Sequence, residues 1–194
     1  SEQEVNRSCQ TEFRRSSLEI AKKWWEIWQK NKLHKEFSVL TEKILRLILA
    51  NENYDDPDLK TRMALAELLF QNENFEESSE NYNIVALKTK EAKLSHDSTY
   101  SALFAKEKSI EKEKNKNEIK FAQRKELVQR YLKNFPNGEY FSSVSLKLGV
   151  ILYEEKNYVE SVKTLTALSQ IKTDLEIKTK AEDLILDIKN IEKK

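Results

Sequence analysis

Leu65-Ala66-Glu67-Leu68-Leu69-Phe70-Gln71-Asn72-Glu73-Asn74-Phe75-Glu76-Glu77-Ser78 returns 83 residues later as Leu148-Gly149-Val150-Ile151-Leu152-Tyr153-Glu154-Glu155-Lys156-Asn157-Tyr158-Val159-Glu160-Ser161. Leu65, Leu69, Phe70, Asn74 and Phe75 fall on Leu148, Leu152, Tyr153, Asn157 and Tyr158, and Tyr82 falls on Leu165. Each copy reads as an apolar helix, a short polar break at an Asn-aromatic pair, then a second apolar helix. A helix pair of that size cannot bury its apolar face alone, so it must stack on neighbours. The expected architecture is all-α, a right-handed solenoid of helix pairs.

Composition supports this reading. The chain of 194 residues has only two Gly (Gly138, Gly149) and two Pro (Pro57, Pro136). Strands need turns, and phosphate-cradling loops need clustered glycines, so neither is available. Charge is balanced, with 34 Lys plus Arg against 33 Asp plus Glu, a formal net charge of +1. Nucleic-acid binding draws its affinity from a basic surplus that this chain lacks overall. A local stripe such as Lys106, Lys108, Lys112, Lys114 and Lys116 is the alternative. Cys9 is the single cysteine, which excludes an intrachain disulfide and a thiolate metal site. No apolar run reaches the roughly 18 residues of a membrane helix. The chain opens at Ser1 without Met, so the absence of a signal segment carries no weight.

Working outward from the two copies, helical periodicity predicts a first helix from Glu2 to Lys30, with Phe13, Ile20, Trp24, Ile27 and Trp28 on one face. A second carries Phe37, Leu40, Ile44, Leu47 and Ile48, and ends at a polar break, Asn51 to Asp56, before Pro57. A fifth begins near Ser95 to Asp97, carries Tyr100, Leu103, Phe104 and Ile110, and dissolves into the charged run Glu111 to Asn117. A sixth, Ile119 to Lys133, stops at Asn134-Phe135-Pro136-Asn137-Gly138. A ninth, from Asp174 to Lys193, is placed to cover the last open face. The chain therefore reads as one repeat domain over 1–194. Degenerate pairs occupy 3–50 and 95–134, clear pairs 58–88 and 139–170, and a capping helix 174–193.

The two copies resemble tetratricopeptide repeats. In that family a Leu-Gly is followed by an aromatic on the first helix, and an Ala by an aromatic on the second. Here Leu148-Gly149 and Leu65-Ala66 hold the first positions, and Ser161 and Ser78 the second. The small residues Ala66, Gly149, Ser78 and Ser161 then mark close helix crossings. The chain departs from the family at Arg62 and Ser145, where a Trp is usual, and at Lys90 and Thr173, where a Pro is usual. The resemblance covers Asp58 to Ser169. A narrower resemblance lies in Tyr131-Leu-Lys-Asn-Phe-Pro-Asn-Gly-Glu-Tyr140 followed by Leu148-Gly149. This looks like the variant found in bacterial periplasmic and outer-membrane-associated repeat lipoproteins and in Tol–Pal-associated coordinators. It implies a periplasmic or cell-envelope setting; otherwise the cytoplasm is expected.

Chemistry is sparse. His34 and His96 are the only histidines and have no metal-ligand spacing, and no nucleophile elbow is present. The chain reads as a non-enzyme with no metal, cofactor or small-molecule substrate, and with no direct membrane contact. The family resemblance implies a groove lined by the first helix of each pair, holding a peptide or helix of another protein. Carried over by position, Lys60, Met63, Glu67, Phe70 and Gln71 of one pair line it, with Ser143, Leu146, Val150, Tyr153 and Glu154 of the other. Phe70 and Tyr153 are its expected aromatic anchors and Met63 an adaptable one. Trp25, turned about 100° from Trp24 around the first helix, is a further candidate partner contact. The rivals to a scaffold are a nucleic-acid-binding repeat and a regulatory module of a larger protein.

Overall fold

A computed structural model describes residues 2–50, 58–113, 117–171 and 173–191, with side chains from Ser8 onward. Those residues form helices and turns only: α1 (Glu2–Lys30), α2 (Lys35–Leu49), α3 (Leu59–Gln71), α4 (Phe75–Lys88), α5 (Ala92–Lys112), α6 (Glu118–Asn134), α7 (Phe141–Glu154), α8 (Tyr158–Gln170) and α9 (Leu175–Ile191). The protein is all-α over these residues, as expected. The break at 51–56, Pro57, and Lys114 and Lys116 of the charged run lie outside the described residues. Within that run Glu111 and Lys112 are helical, and Asn117 caps α6 by accepting from Lys120 N at 3.3 Å.

The chain divides into two compact units, Ser1–Ser98 and Thr99–Lys194, with the division inside α5. In the first unit α1 pairs with α2, α3 pairs with α4, and α2 packs on α3. The core joins Ala21 and Trp28 of α1 to Leu45 of α2 and Leu65, Leu68 and Leu69 of α3. The start of α3 is fixed by Asp58, whose carboxylate accepts from Thr61 N at 3.1 Å and pairs with Arg14 of α1. Such a cap contributes about 1 kcal/mol, and the cation keeps the buried charge partnered. In the second unit α7 packs against α6, α8 and α9. One cluster of its core is Leu165 and Leu168 of α8 with Ala181 of α9, and Val128 and Tyr131 of α6 and Val144 of α7 are also completely buried.

The two copies fold into the same hairpin in detail. Asn74 N donates to Leu69 O at 2.8 Å, and Asn157 N donates to Leu152 O at 2.8 Å. Glu73 and Lys156, 83 positions apart, both take φ of 60°. Across the crossing, Ser78 Oγ donates to Ala66 O and Ser161 Oγ to Gly149 O, each at 2.8 Å. A hydroxyl that ties one helix to the other's backbone needs both positions small. Ala66, Ser78 and Ser161 are completely buried. The small residues therefore do stand at close crossings.

The left-handed turn position gives a first prediction. A side chain at φ near +60° costs about 1–2 kcal/mol, and glycine removes that strain at an entropic cost of about 0.5–1 kcal/mol. Lys156→Gly is expected to stabilise the protein by up to about 1 kcal/mol, read as a higher urea midpoint at an unchanged slope. A lower midpoint would show that Lys156 supports the turn through its side chain.

Two helices bury only part of the face expected: Trp28 and Ile48 are covered, and Phe37 and Ile44 pack against the core, but other expected residues are not. On α2 the buried residues are Ser38, Thr41, Leu45 and Ile48, while Leu40 and Leu47 are exposed. On α1 Ala21 and Trp28 are buried, while Phe13, Ile20 and Ile27 remain exposed. Both helices carry wider apolar arcs than their neighbours cover. Phe104 of α5 and Leu175 of α9 are likewise exposed, although periodicity placed them inward.

Candidate functional site

Lys60, Ala64, Glu67 and Gln71 recur on α3 at intervals of four, three and four, which puts them on one stripe. All four are exposed. The stripe borders α1. Gln71 Oε1 accepts from Gln29 Nε2 at 2.7 Å and from Lys32 Nζ at 2.9 Å, and the Lys32 ammonium lies 3.4 Å from the centre of the Trp28 ring. One turn nearer the start of α3, the stripe and α1 enclose a cavity of about 260 Å³. Its walls are Leu18, Ala21 and Trp25 of α1, Leu45 of α2, and Ala64 and Glu67 of α3. Thr41 also borders it, with its hydroxyl already donating to Phe37 O at 2.7 Å.

The cavity is apolar apart from the Glu67 carboxylate, which accepts from the Tyr82 hydroxyl at 2.5 Å, and Lys22. Burial, and then the Glu67 carboxylate, push the Tyr82 phenol far above its usual range, so it stays a neutral donor. Trp25 meets Trp28 edge-on, with ring centres 5.6 Å apart, which fixes the indole as a wall. Trp25 and Glu67, from two different expectations, therefore stand at one place. The space lies just below the usual range of small-molecule pockets and suits one large apolar side chain.

The other expected site residues divide. Lys60 and Gln71 are on the stripe beside the cavity. Met63 is half-buried, with its sulfur 3.9 Å from the Ser98 hydroxyl, and belongs to packing inside the first unit. Phe70 leans edge-on against Phe75 at 5.1 Å, and Tyr153 lies tilted against Tyr158 at 5.8 Å. These rings brace their own hairpins. Leu146 packs on the Leu165, Leu168 and Ala181 core, which sets it inside the second unit's packing. Ser143 Oγ donates to Tyr140 O at 2.9 Å, and Val150 is half-buried.

Glu154 borders a second cavity, of about 400 Å³, with Phe121, Arg124 and Lys125 of α6, Ile151 of α7 and Glu155 just beyond its end. Its two cations are already engaged. Arg124 pairs with Glu154 and lies over the Phe121 ring, and Lys125 Nζ meets Glu155 Oε2 at 2.6 Å. A ligand there must break ion pairs, whereas the cavity beside Trp25 asks only for apolar surface. The smaller cavity is the better site.

Sequence reasoning missed Leu18, Leu45 and Ala64 as its walls. The only available signal was Ala64 itself, a small residue on the stripe of Lys60, Glu67 and Gln71. Electrostatics brace this unit nearby: Arg46 of α2 pairs with Glu42 and with Glu77 of α4. The Arg46 guanidinium holds the Glu77 carboxyl below the usual carboxylate range. His34 Nδ1 lies 3.0 Å from Glu36 Oε1, and His96 Nδ1 lies 2.8 Å from Asp97 Oδ1. No helix among the described residues is long and apolar enough to cross a membrane. No protein-family model matches the sequence, and no curated protein matches it significantly.

Proposed function

We propose that this chain is a non-catalytic, tetratricopeptide-like scaffold that holds another protein through the cavity beside Trp25. The finer architecture belongs to the same proposal: a right-handed α-solenoid of four hairpins, α1/α2, α3/α4, α5/α6 and α7/α8, with α9 as the terminal cap. Its support is the repeated hairpin, identical in turn geometry and in the serine-to-backbone bond at each crossing. The observation that carries the function is an apolar cavity, bounded by an indole and one carboxylate, on the exposed stripe of α3. Such a cavity receives a single aromatic or branched aliphatic anchor from a peptide or helix, and a donor beside that anchor meets Glu67.

The cell-envelope setting rests on the resemblance at Tyr131–Tyr140. The nucleic-acid alternative loses part of its stripe: Lys106 is buried and donates to Gln123 Oε1 at 2.8 Å, and Lys108 pairs with Glu111 at 2.7 Å. Ala64→Phe tests the proposal by filling the cavity from an exposed position on α3. Affinity capture from the native cell with the whole chain, followed by titration of the captured protein, is expected to show a loss of about 30-fold or more in affinity, the size of one anchor. The circular dichroism spectrum should be unchanged. Binding that survives Ala64→Phe, or that is abolished by moderate salt alone, would overturn it.

A further inference from the structure

The first half of α1 has little of its own unit to rest on. Every described residue from Ser8 to Ser16 is exposed, and α2, with 15 residues, is about half as long as the 29-residue α1. A helical stretch rich in Ser, Thr and Gln is marginal in water without a partner. Along the same helix Phe13, Ile20 and Ile27 repeat every seven residues and are 48%, 43% and 41% exposed. Ser17 and Trp24, both half-buried, fall between them, which gives the alternating spacing of three and four that marks a helix-to-helix seam. This seam is distinct from the side of α1 that walls the cavity, where Leu18, Ala21 and Trp25 lie.

The flank of the seam carries the identity of what covers it. Glu12, Glu19 and Glu26 each directly precede a seam residue, and Lys23 and Lys30 lie three residues after Ile20 and Ile27 on the same flank. We propose that two copies of this chain associate through α1, antiparallel about a two-fold axis at Ile20. That register sets Phe13 opposite Ile27 of the second copy, and Ile20 opposite itself. It also brings Lys23 level with Glu19 of the second copy, and Lys30 level with its Glu12, each offset by about 3 Å along the axis. A parallel pairing turns the Lys flank toward Arg14, Ala21 and Trp28, and forms no such pairs. Among the described residues Glu19, Glu26, Lys23 and Lys30 make no ion pair, so they are available to the second copy, whereas Glu12 already meets Arg15 at 2.6 Å in its own copy and Lys30 adds a second cation to that exposed pair. The seam is short, with three apolar residues and Trp24 from each copy, so the dimer dissociates on the order of micromolar concentration.

Cys9 is exposed and is the only cysteine, which makes it a ready probe. Sedimentation of the whole chain across that concentration range is expected to show a monomer–dimer equilibrium. A nitroxide on Cys9 should report a separation between copies of about 30–40 Å by pulsed dipolar spectroscopy, since 22 residues of helix lie between the two labels along the axis. Ile20→Glu sets two carboxylates against each other on the two-fold axis and should leave a monomer with an unchanged circular dichroism spectrum. A wild-type monomer at about 100-fold above micromolar concentration would overturn the proposal. So would a dimer insensitive to Ile20→Glu, or a label separation below about 20 Å, which is the parallel arrangement.

Discussion

Gly149→Leu is expected to destabilise the second unit severely. A Cβ on Gly149 would lie 2.4 Å from Leu165 Cδ2 and 2.7 Å from Leu165 Cγ. Leu165 cannot retreat, because it is completely buried against Leu168 and Ala181. Forcing added carbons into such a crossing costs about 1–3 kcal/mol, and a full Leu side chain belongs at the upper end. Relief of the helical glycine penalty, about 0.8–1 kcal/mol, offsets only part. For a chain of this size each kcal/mol lowers Tm by about 2–4 °C. Val159→Ser, at a residue 75% exposed, is the control and should stay within about 0.5 kcal/mol of wild type. Adding Leu165→Ala to the Gly149 variant should recover part of the loss, with a coupling of about 0.5–3 kcal/mol. Equal melting of the Gly149 and Val159 variants would remove the close crossing from this account.

Tyr131→Ala is the second large effect. Tyr131 is completely buried on α6, and its hydroxyl accepts from Tyr140 N at 3.2 Å. Its ring meets Phe135 at 5.3 Å and Tyr100 at 6.3 Å, and Tyr100 in turn stacks on Tyr140 at 3.7 Å. One side chain thus fastens the α6–α7 corner, where the chain leaves α6 through Phe135-Pro136-Asn137-Gly138. Burial pushes the phenol up to about 12, so it is neutral near pH 7. Truncation to Ala should cost about 3–5 kcal/mol, as for other buried aromatics. Tyr131→Phe keeps the rings and gives up one hydrogen bond, for about 1 kcal/mol. If the two variants are equally unstable by chemical denaturation, the hydroxyl rather than the ring fastens the corner.

Much of this fold was legible because its signals are local. Asn-aromatic pairs at 74–75 and 157–158 mark the hairpin turns, the run at 134–138 stops α6, and small residues at 66, 78, 149 and 161 mark crossings. Each depends on residues close in sequence or on one repeat offset. The covered faces of α1 and α2 were legible only in part: Trp28, Phe37, Ile44 and Ile48 do face the core. Periodicity finds an apolar arc, but which part of it is buried depends on neighbours, and here Ser38 and Thr41 are covered while Leu40 and Leu47 are not. The positive φ at Glu73 and Lys156 was hidden because neither position carries the usual Gly or Asn. The cavity was hidden for a tertiary reason. It exists because Ala64 is too small to fill the space left beside Trp25, 39 positions earlier.

That cavity also offers the most direct measurement of the central claim. The chain has three tryptophans, Trp24, Trp25 and Trp28, all on α1. With 5-fluorotryptophan incorporated, and the resonances assigned by single Trp→Phe changes, the captured partner is titrated while the fluorine spectrum is followed. An anchor entering the cavity is predicted to move the Trp25 resonance strongly, to leave Trp24 nearly unmoved, and to do neither in Ala64→Phe. A Trp25 resonance that stays fixed while the partner saturates the wild-type chain would contradict the account.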